Sequence, residues 1–342
     1  MTELPRGLYR AEPDPVLGWA ARMMNGYVRL LLRGDRVPAP APASTGIRVR
    51  VDRVRAEARD VVSLRLVPVA GGPLPPWQPG HHLDLLLPSG RRRQYSLCGD
   101  VRDRSAYRIA VRRIADGGGG SREAHELPEG AELEIRGPRN AFPFVPASRY
   151  LFLAGGIGIT PILPMVEAAA RAGADWHLVY CGRSRASMPF LAELARYGER
   201  VRVHADDEQG GPVDLGEQLA AGESVVYCCG PPPMLAAVRA GVPVRRPLYT
   251  ERFSPPPVTG GQPFEVELRR TGVVLPVGGD ETALSVIRAV LPDVGYSCQQ
   301  GFCGTCRVRV LAGEHGEPHP ADQPDEMRIC VSRGQDRVSL DL

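Results

Sequence analysis

The sequence predicts a multidomain chain of mixed β and α/β class: an antiparallel β-barrel, a parallel α/β domain, and a small domain around a cysteine-bearing loop, preceded by a helical extension. Three observations carry that expectation. Residues 46 to about 145 alternate apolar and polar positions between turn residues, apolar runs alternate with helical stretches from Arg149 onward, and the last 80 residues hold Cys298, Cys303, Cys306 and Cys330. Alternation at period two marks half-buried strands, and strand–helix alternation marks a parallel sheet. Two Pro-rich joints, residues 37–44 and 254–263, are extended spacers by composition. The expected divisions are therefore 1–45 (helical extension and linker), 46–147 (barrel), 148–253 (α/β domain), 254–262 (linker) and 263–342 (cysteine-loop domain).

In chain order, Asp14-Pro15 reads as an N-cap and first-turn proline, and Leu17, Ala20, Met24, Tyr27 or Val28, and Leu31 recur at helical spacing. This amphipathic helix is expected to pack on the barrel or the α/β domain; partner docking or loose membrane association is the other reading. Ile47-Arg48-Val49-Arg50-Val51 and Tyr107-Arg108-Ile109-Ala110-Val111 exemplify the barrel pattern. Strands of the α/β domain are expected at 150–153, 176–180, 201–204 and 224–228, and one helix near 283–290 accompanies the cysteine loop.

Composition narrows the function classes. Hydrophobic residues make up 43% and charged residues 24% of the 342, a globular balance without an apolar run of membrane-spanning length. A formal charge of +3, with no interleaved basic and aromatic residues, gives no argument for nucleic acid. The charge is uneven: residues 263–342 hold twelve acids against eight arginines, a net of −4, which leaves +7 elsewhere. Either chance surface composition or a docking face for a basic partner accounts for this. Lysine is absent, which excludes Walker-type phosphate loops and Schiff-base chemistry. Cys98, Cys181, Cys228 and Cys229 lack ligand spacing and read as small buried apolar residues; with no signal peptide in front, a reducing cytoplasmic compartment is expected.

Cys298, Cys303 and Cys306 fall in the spacing C-x4-C-x2-C, with Cys330 following, the thiolate pattern of a plant-type 2Fe-2S cluster. Gly301 and Gly304 allow amides to turn inward. The competing reading, structural zinc, usually draws on two C-x2-C knuckles, and only Cys303 and Cys306 form one. Upstream, Arg93-Gln94-Tyr95-Ser96-Leu97 lays along one strand an arginine able to grip phosphate, a tyrosine able to cover a ring and a serine able to bond a ring nitrogen. Gly117-Gly118-Gly119-Gly120-Ser121-Arg122 is either a flexible turn or a helix start presenting amides to phosphate. Ala154-Gly155-Gly156-Ile157-Gly158-Ile159-Thr160-Pro161 leads from a strand through a Gly-rich turn into a helix, where backbone can approach a pyrophosphate, although G-x-G-x-x-G is absent. Tyr180-Cys181-Gly182-Arg183-Ser184-Arg185 and Tyr227-Cys228-Cys229-Gly230-Pro231 end parallel strands, where open α/β sheets bind ligands. A 2′-phosphate wants arginine and a hydroxyl, so Arg183, Ser184 and Arg185, with no acid close behind, lean towards NADPH over NADH; a plain surface-charge reading of the arginines also stands.

These motifs, in this order across residues 46–342, resemble the phthalate dioxygenase reductase type of flavoprotein within the ferredoxin–NADP reductase superfamily. The resemblance implies a flavin-binding barrel, a nicotinamide-binding α/β domain and a β-grasp-like 2Fe-2S ferredoxin domain. It implies FMN rather than FAD, with Arg93 on the phosphate, Tyr95, Ser96 and Leu97 along the flavin, and Ser96 near N5. Ile109, Val111, Gly119, Gly120 and Ser121 complete that pocket by the same resemblance. Gly155, Gly156, Gly158 and Thr160 then carry the pyrophosphate of NAD(P)H, Cys229 and Gly230 approach the nicotinamide, and Phe253 covers the flavin with Glu251 beside it.

The implied activity is an NAD(P)H-dependent oxidoreductase that passes electrons through flavin and cluster to an oxygenase component, either a Rieske non-haem iron oxygenase or a haem-thiolate monooxygenase. Nicotinamide gives up two electrons as hydride and a 2Fe-2S cluster accepts one, which is why a flavin is expected between them. The expected oligomeric state is monomeric, with the acidic C-terminal domain as docking face. Two further readings are a redox-sensing regulatory module and a direct reductase of a small molecule or metal chelate. Rapid NAD(P)H oxidation with an artificial acceptor separates an enzyme from a sensor.

Overall fold

Valine alternating with arginine builds β1 (Ile47–Ala58), which turns Val49 and Val51 into a shared interior. In this computed structural model, the described residues are 46–342 except 116–118, 221, 254–257, 293, 297–298, 302–303 and 317–324. The expected N-terminal helix, the first Pro-rich joint, Gly117, Gly118, Cys298 and Cys303 lie outside them.

β2 (Val61–Pro68), β3 (His81–Leu86), β4 (Arg92–Ser96), β5 (Tyr107–Arg112) and β6 (Glu132–Asn140) join β1 in an antiparallel sheet of order β4-β3-β6-β1-β2-β5. Its edges meet where Leu97 bridges Ile109 and the Cys98 N–H donates to the Arg108 carbonyl at 2.9 Å, so the sheet curls into a barrel. Leu64, Leu66, Leu83, Leu85 and Ile135 fill it. In β3, His82 and Asp84 alternate with these leucines yet are themselves buried, which gives the strand a sealed polar face.

β7 (Arg149–Gly155), β8 (Asp175–Gly182), β9 (Val201–Ala205), β10 (Val225–Cys229) and β11 (Leu248–Glu251) form a parallel sheet of order β11-β10-β7-β8-β9. The order reverses between β7 and β10, which opens a crevice at their carboxyl ends. The helix Ile159–Arg171 buries Ile162, Leu163, Met165 and Val166 in a core that also holds Phe152, Trp176 and Tyr227. Barrel and parallel sheet are fixed to each other by side chains: Arg108 of β5 meets Glu193 at 2.6 and 3.0 Å, and the Tyr227 hydroxyl accepts from Val145 N–H at 2.8 Å and donates to the Pro143 carbonyl at 3.0 Å.

The last domain comprises β12 (Phe264–Leu268), β13 (Val273–Val277), β14 (Arg307–Ala312), β15 (His315–Gly316), β16 (Glu326–Arg328), β17 (Arg333–Gly334) and β18 (Arg337–Leu340). Five of these strands make a sheet of order β13-β12-β18-β14-β16, with β12 and β18 parallel. The helix Ala283–Val290 starts at a capping box, in which the Thr282 hydroxyl oxygen accepts from Ser285 N–H at 3.0 Å and Ser285 Oγ accepts from Thr282 N–H at 3.1 Å. Leu284 and Ile287 bury its apolar side against Val266, Met327 and Ile329. Among the described residues no helix is long and apolar enough to cross a membrane.

Candidate functional site

Strand register distributes the R-x-Y-S residues over two faces. Ser96 pairs with His82, whereas Tyr95 and Arg93 pair with Leu83 and Leu85, so Ser96 lies on the sealed polar face of β3 and β4 and the other two on the opposite one. Ile109 and Val111 are barrel core, at 0% and 1% exposure. Arg93 runs along the start of the helix Gly120–His125: a Cβ on Gly120 would sit 2.6 Å from Arg93 Nε, so a larger residue there would displace the arginine side chain. Gly119 precedes it at φ 78°, and Ser121 Oγ accepts from Ile114 N–H at 3.1 Å. Arg93 also donates to the Arg92 carbonyl at 2.8 Å and to the Tyr296 hydroxyl at 2.7 Å. An arginine beside glycine amides suits a phosphate.

The polar face gathers a second group. Cys229 stands in register between Ala154 on β7 and Glu251 on β11, and the Ser96 hydroxyl bonds the Glu251 carboxyl. Burial pushes that carboxyl up to about 8, against the lowering effect of Ser96, so it is protonated at neutral pH. Burial, with Glu251 adding to it, also holds the Cys229 thiol well above its ordinary value, which leaves it a neutral packing group and not a nucleophile. Around them, Asp84 Oδ1, Gln94 Nε2, Glu251 Oε2 and Arg252 Nε are sealed from solvent without a hydrogen-bond partner among the described residues. Asp84 pairs with Gln94 in the sheet, so these atoms border one region. Buried polar atoms left unmatched are costly, and a flat ring edged with nitrogen and carbonyl groups is the kind of occupant that satisfies them. Phe253, expected to cover such a ring, is 46% exposed at the end of this wall.

At the sheet reversal, two turns pack backbone on backbone. A Cβ on Gly158 would meet the Cys229 carbonyl oxygen at 2.2 Å, and one on Gly155 would meet Gly230 Cα at 3.2 Å. Gly156 takes φ +55°, its carbonyl accepts from the Tyr180 hydroxyl at 3.2 Å, and the Thr160 hydroxyl closes the turn on the Ile157 carbonyl at 3.0 Å. A pyrophosphate can approach amides here without side-chain obstruction. At the end of β8, Ser184 Oγ donates to Ser187 Oγ at 3.3 Å and Arg185 pairs with Glu208 at 2.9 Å. Glu208 lies beyond β9 in the segment Asp206–Gln209, too far along the chain from β8 for a local pattern to link it to Arg185.

The cysteine loop ends where β14 begins. Pairing of Arg307 with Arg328 brings Cys306 and Cys330 together, both buried, with their sulfurs 3.0 Å apart, beyond the ~2.05 Å of a disulfide bond. Gln299, Gly301 and Gly304 take the left-handed φ values 54°, 86° and 71°. Two converging buried thiols, Cys306 and Cys330, fit the soft donor set of an iron–sulfur cluster.

Comparison with known proteins agrees with this geometry. Residues 266–333 match the 2Fe-2S iron-sulfur cluster binding domain and residues 152–240 the oxidoreductase NAD-binding domain. The chain is 42% identical to a putative toluene-4-sulfonate monooxygenase system reductase subunit of Comamonas testosteroni, over 87% of this chain and 100% of that one. It is 32% identical to the phthalate dioxygenase reductase of Burkholderia cepacia, over 86% and 97%. Among solved structures, phthalate dioxygenase reductase aligns with TM-score 0.66 at 31% identity over 87% of this chain and 98% of that one. An intact type IV self-sufficient cytochrome P450 monooxygenase aligns with TM-score 0.66 at 37% identity over 92% of this chain, which spans 44% of that longer protein. This chain belongs to the phthalate dioxygenase reductase-like family of NAD(P)H-dependent flavin and iron–sulfur oxidoreductases, within the ferredoxin–NADP reductase superfamily.

Proposed function

We propose that this protein is the cytoplasmic, monomeric reductase component of an oxygenase system, drawing electrons from NADPH and delivering them singly to a Rieske or haem-thiolate oxygenase. Residues 46–147 hold the flavin, 148–253 the nicotinamide cofactor and 263–342 the cluster, joined by the linker 254–262; residues 1–45 are an extension. The observation that carries the reading is the group of orphaned polar atoms around Ser96 and Glu251, set beside the Gly158–Cys229 crevice. Flavin, when bound, accepts a hydride and releases its electrons one at a time.

The chain's own groups position and protect. Gly155, Gly156, Gly158 and Thr160 would receive the pyrophosphate, Cys229 and Gly230 would keep the nicotinamide side dry, and Phe253 would cover the flavin. Ser96 and protonated Glu251 hold a proton at the ring edge, and Arg93, Tyr95, Leu97, Gly119, Gly120 and Ser121 line the rest of the pocket, with Ile109 and Val111 supporting it from the core. Cys298, Cys303, Cys306 and Cys330 hold the cluster. FMN is proposed over FAD because the chain resembles the family's FMN members in domain order and in the glycine–serine turn. The preference for NADPH rests on Arg183 and Ser184, since Arg185 is paired with Glu208.

Reduction of both chromophores in one titration tests this. Anaerobic addition of NADPH to purified protein, followed by absorbance, should bleach the flavin and the cluster bands together, with NADH less effective, and heat-released flavin should co-migrate with FMN. Protein that carries neither chromophore after anaerobic purification would overturn the reading.

A further inference from the structure

Two side chains of the cysteine loop reach across to the walls of the flavin pocket. Tyr296, two residues before Cys298, is approached by two guanidinium groups: Arg93 Cζ is 4.5 Å and Arg288 Cζ 4.1 Å from its ring centroid. Arg93 Nη2 also donates to the Tyr296 hydroxyl at 2.7 Å, across 203 residues of sequence. Gln300, two residues after Cys298, donates Nε2 to the Arg252 carbonyl at 2.8 Å. Arg93 belongs to β4 of the barrel and Arg252 follows β11, the strand ending in Glu251. The loop is thus tied both to the barrel edge at β4 and to the residue that follows β11.

We infer that Tyr296 and Gln300 form a clasp that sets the gap between flavin and cluster, making Tyr296 a positioning residue for electron transfer within the chain. The inference rests on the oxidoreductase reading above and adds the residues that couple its two redox sites. A charge-assisted hydrogen bond and two cation–π contacts converge on one ring, a combination strong enough to fix a loop. The guanidinium that grips Tyr296 also borders Gly120 at the proposed phosphate position. Filling the pocket and docking the loop therefore act on the same side chain. Ser96, Glu251 and Cys229, the groups proposed for the nicotinamide side, bond or pair with one another and with β7, and among the described residues they make no hydrogen bond to Tyr296, so the two steps are separable by substitution.

Tyr296→Phe keeps the ring and its cation contacts while deleting the bond to Arg93, Tyr296→Leu deletes both, and Gln300→Ala releases the other side. In anaerobic stopped-flow with NADPH, flavin bleaching should be unchanged in all three. Cluster reduction should slow on the order of tenfold in Tyr296→Phe, the population shift expected from losing one charge-assisted bond, and more in Tyr296→Leu, which loses the ring contacts as well. Hydrogen exchange of the amides of residues 294–301, measured on oxidised protein without NADPH, should quicken in the same order. If Tyr296→Leu loses its cluster on purification, Tyr296→Phe and Gln300→Ala carry the comparison. Cluster reduction at the wild-type rate in these variants, or equal slowing of both phases, overturns the clasp. Wild-type protein that fails to reduce its cluster sinks the oxidoreductase reading instead, so the two failures are distinct.

Discussion

Glu251 shows how much one side chain's surroundings decide. Its carboxyl ordinarily loses a proton near 4.5, and burial raises this to about 8 in the folded chain. Between those values the folded state holds a proton that the unfolded state has released, so this group's contribution is complete below about 4.5 and is lost as pH rises through 8. His82 works in the opposite sense. Burial, and then Arg139, lower it to about 4 from 6.5, so its contribution is present above 6.5 and lost as pH falls through 4. Glu251→Gln should flatten the fall in thermal stability from pH 5 to pH 8 and gain on the order of a few kcal/mol at the alkaline end. An unflattened profile would mean that the carboxyl ionises freely in the native protein. Residues such as Ser96 and Arg93 stand out in sequence because they sit in a short motif. Their partners Glu251 and Tyr296 lie 155 and 203 residues away, and no local pattern joins them.

Elements obey patterns of short range, which is why many were legible. The strands expected at 150–153, 176–180, 201–204 and 224–228 appear as β7 to β10 within two residues at most ends, and the helix near 283–290 is Ala283–Val290. Their apolar periodicity is imposed by burial on one or both faces, which a single chain segment records by itself. Packing between elements leaves no such record: nothing local links Arg108 to Glu193, or tells that Gly158 abuts a carbonyl of β10. Gly158 has φ −61°, which any residue can adopt, so its role is space and not conformational freedom. Gly158→Ala should push the turn after β7 away from Cys229, at a stability cost of about 1–3 kcal/mol by overpacking. If that turn receives the nucleotide and not the flavin, as proposed, the Michaelis constant for NADPH should rise with flavin content unchanged. Loss of flavin in this variant would place the two sites in one unit.

Across the whole molecule, charge and route can be tested together. The C-terminal domain's acids are laced to its arginines, as in Glu265–Arg337, Glu267–Arg269 and Asp341–Arg270. Pairing cancels charge locally but leaves the net −4 of residues 263–342 against +7 elsewhere, so the chain presents one acidic end. Such a field acts on encounter and not on the electron step, and it weakens beyond ~10 Å at 0.1 M salt. Electron delivery to a protein acceptor should therefore slow as salt rises, while NADPH oxidation by a two-electron dye should not. Cys303→Ser probes the route itself. Removing this proposed thiolate ligand should leave the barrel, the crevice and dye reduction intact and abolish delivery to a one-electron protein acceptor at every salt concentration. If Cys303→Ser still serves that acceptor at the wild-type rate, electrons leave from the flavin directly and the acidic domain is a docking surface without a current through it.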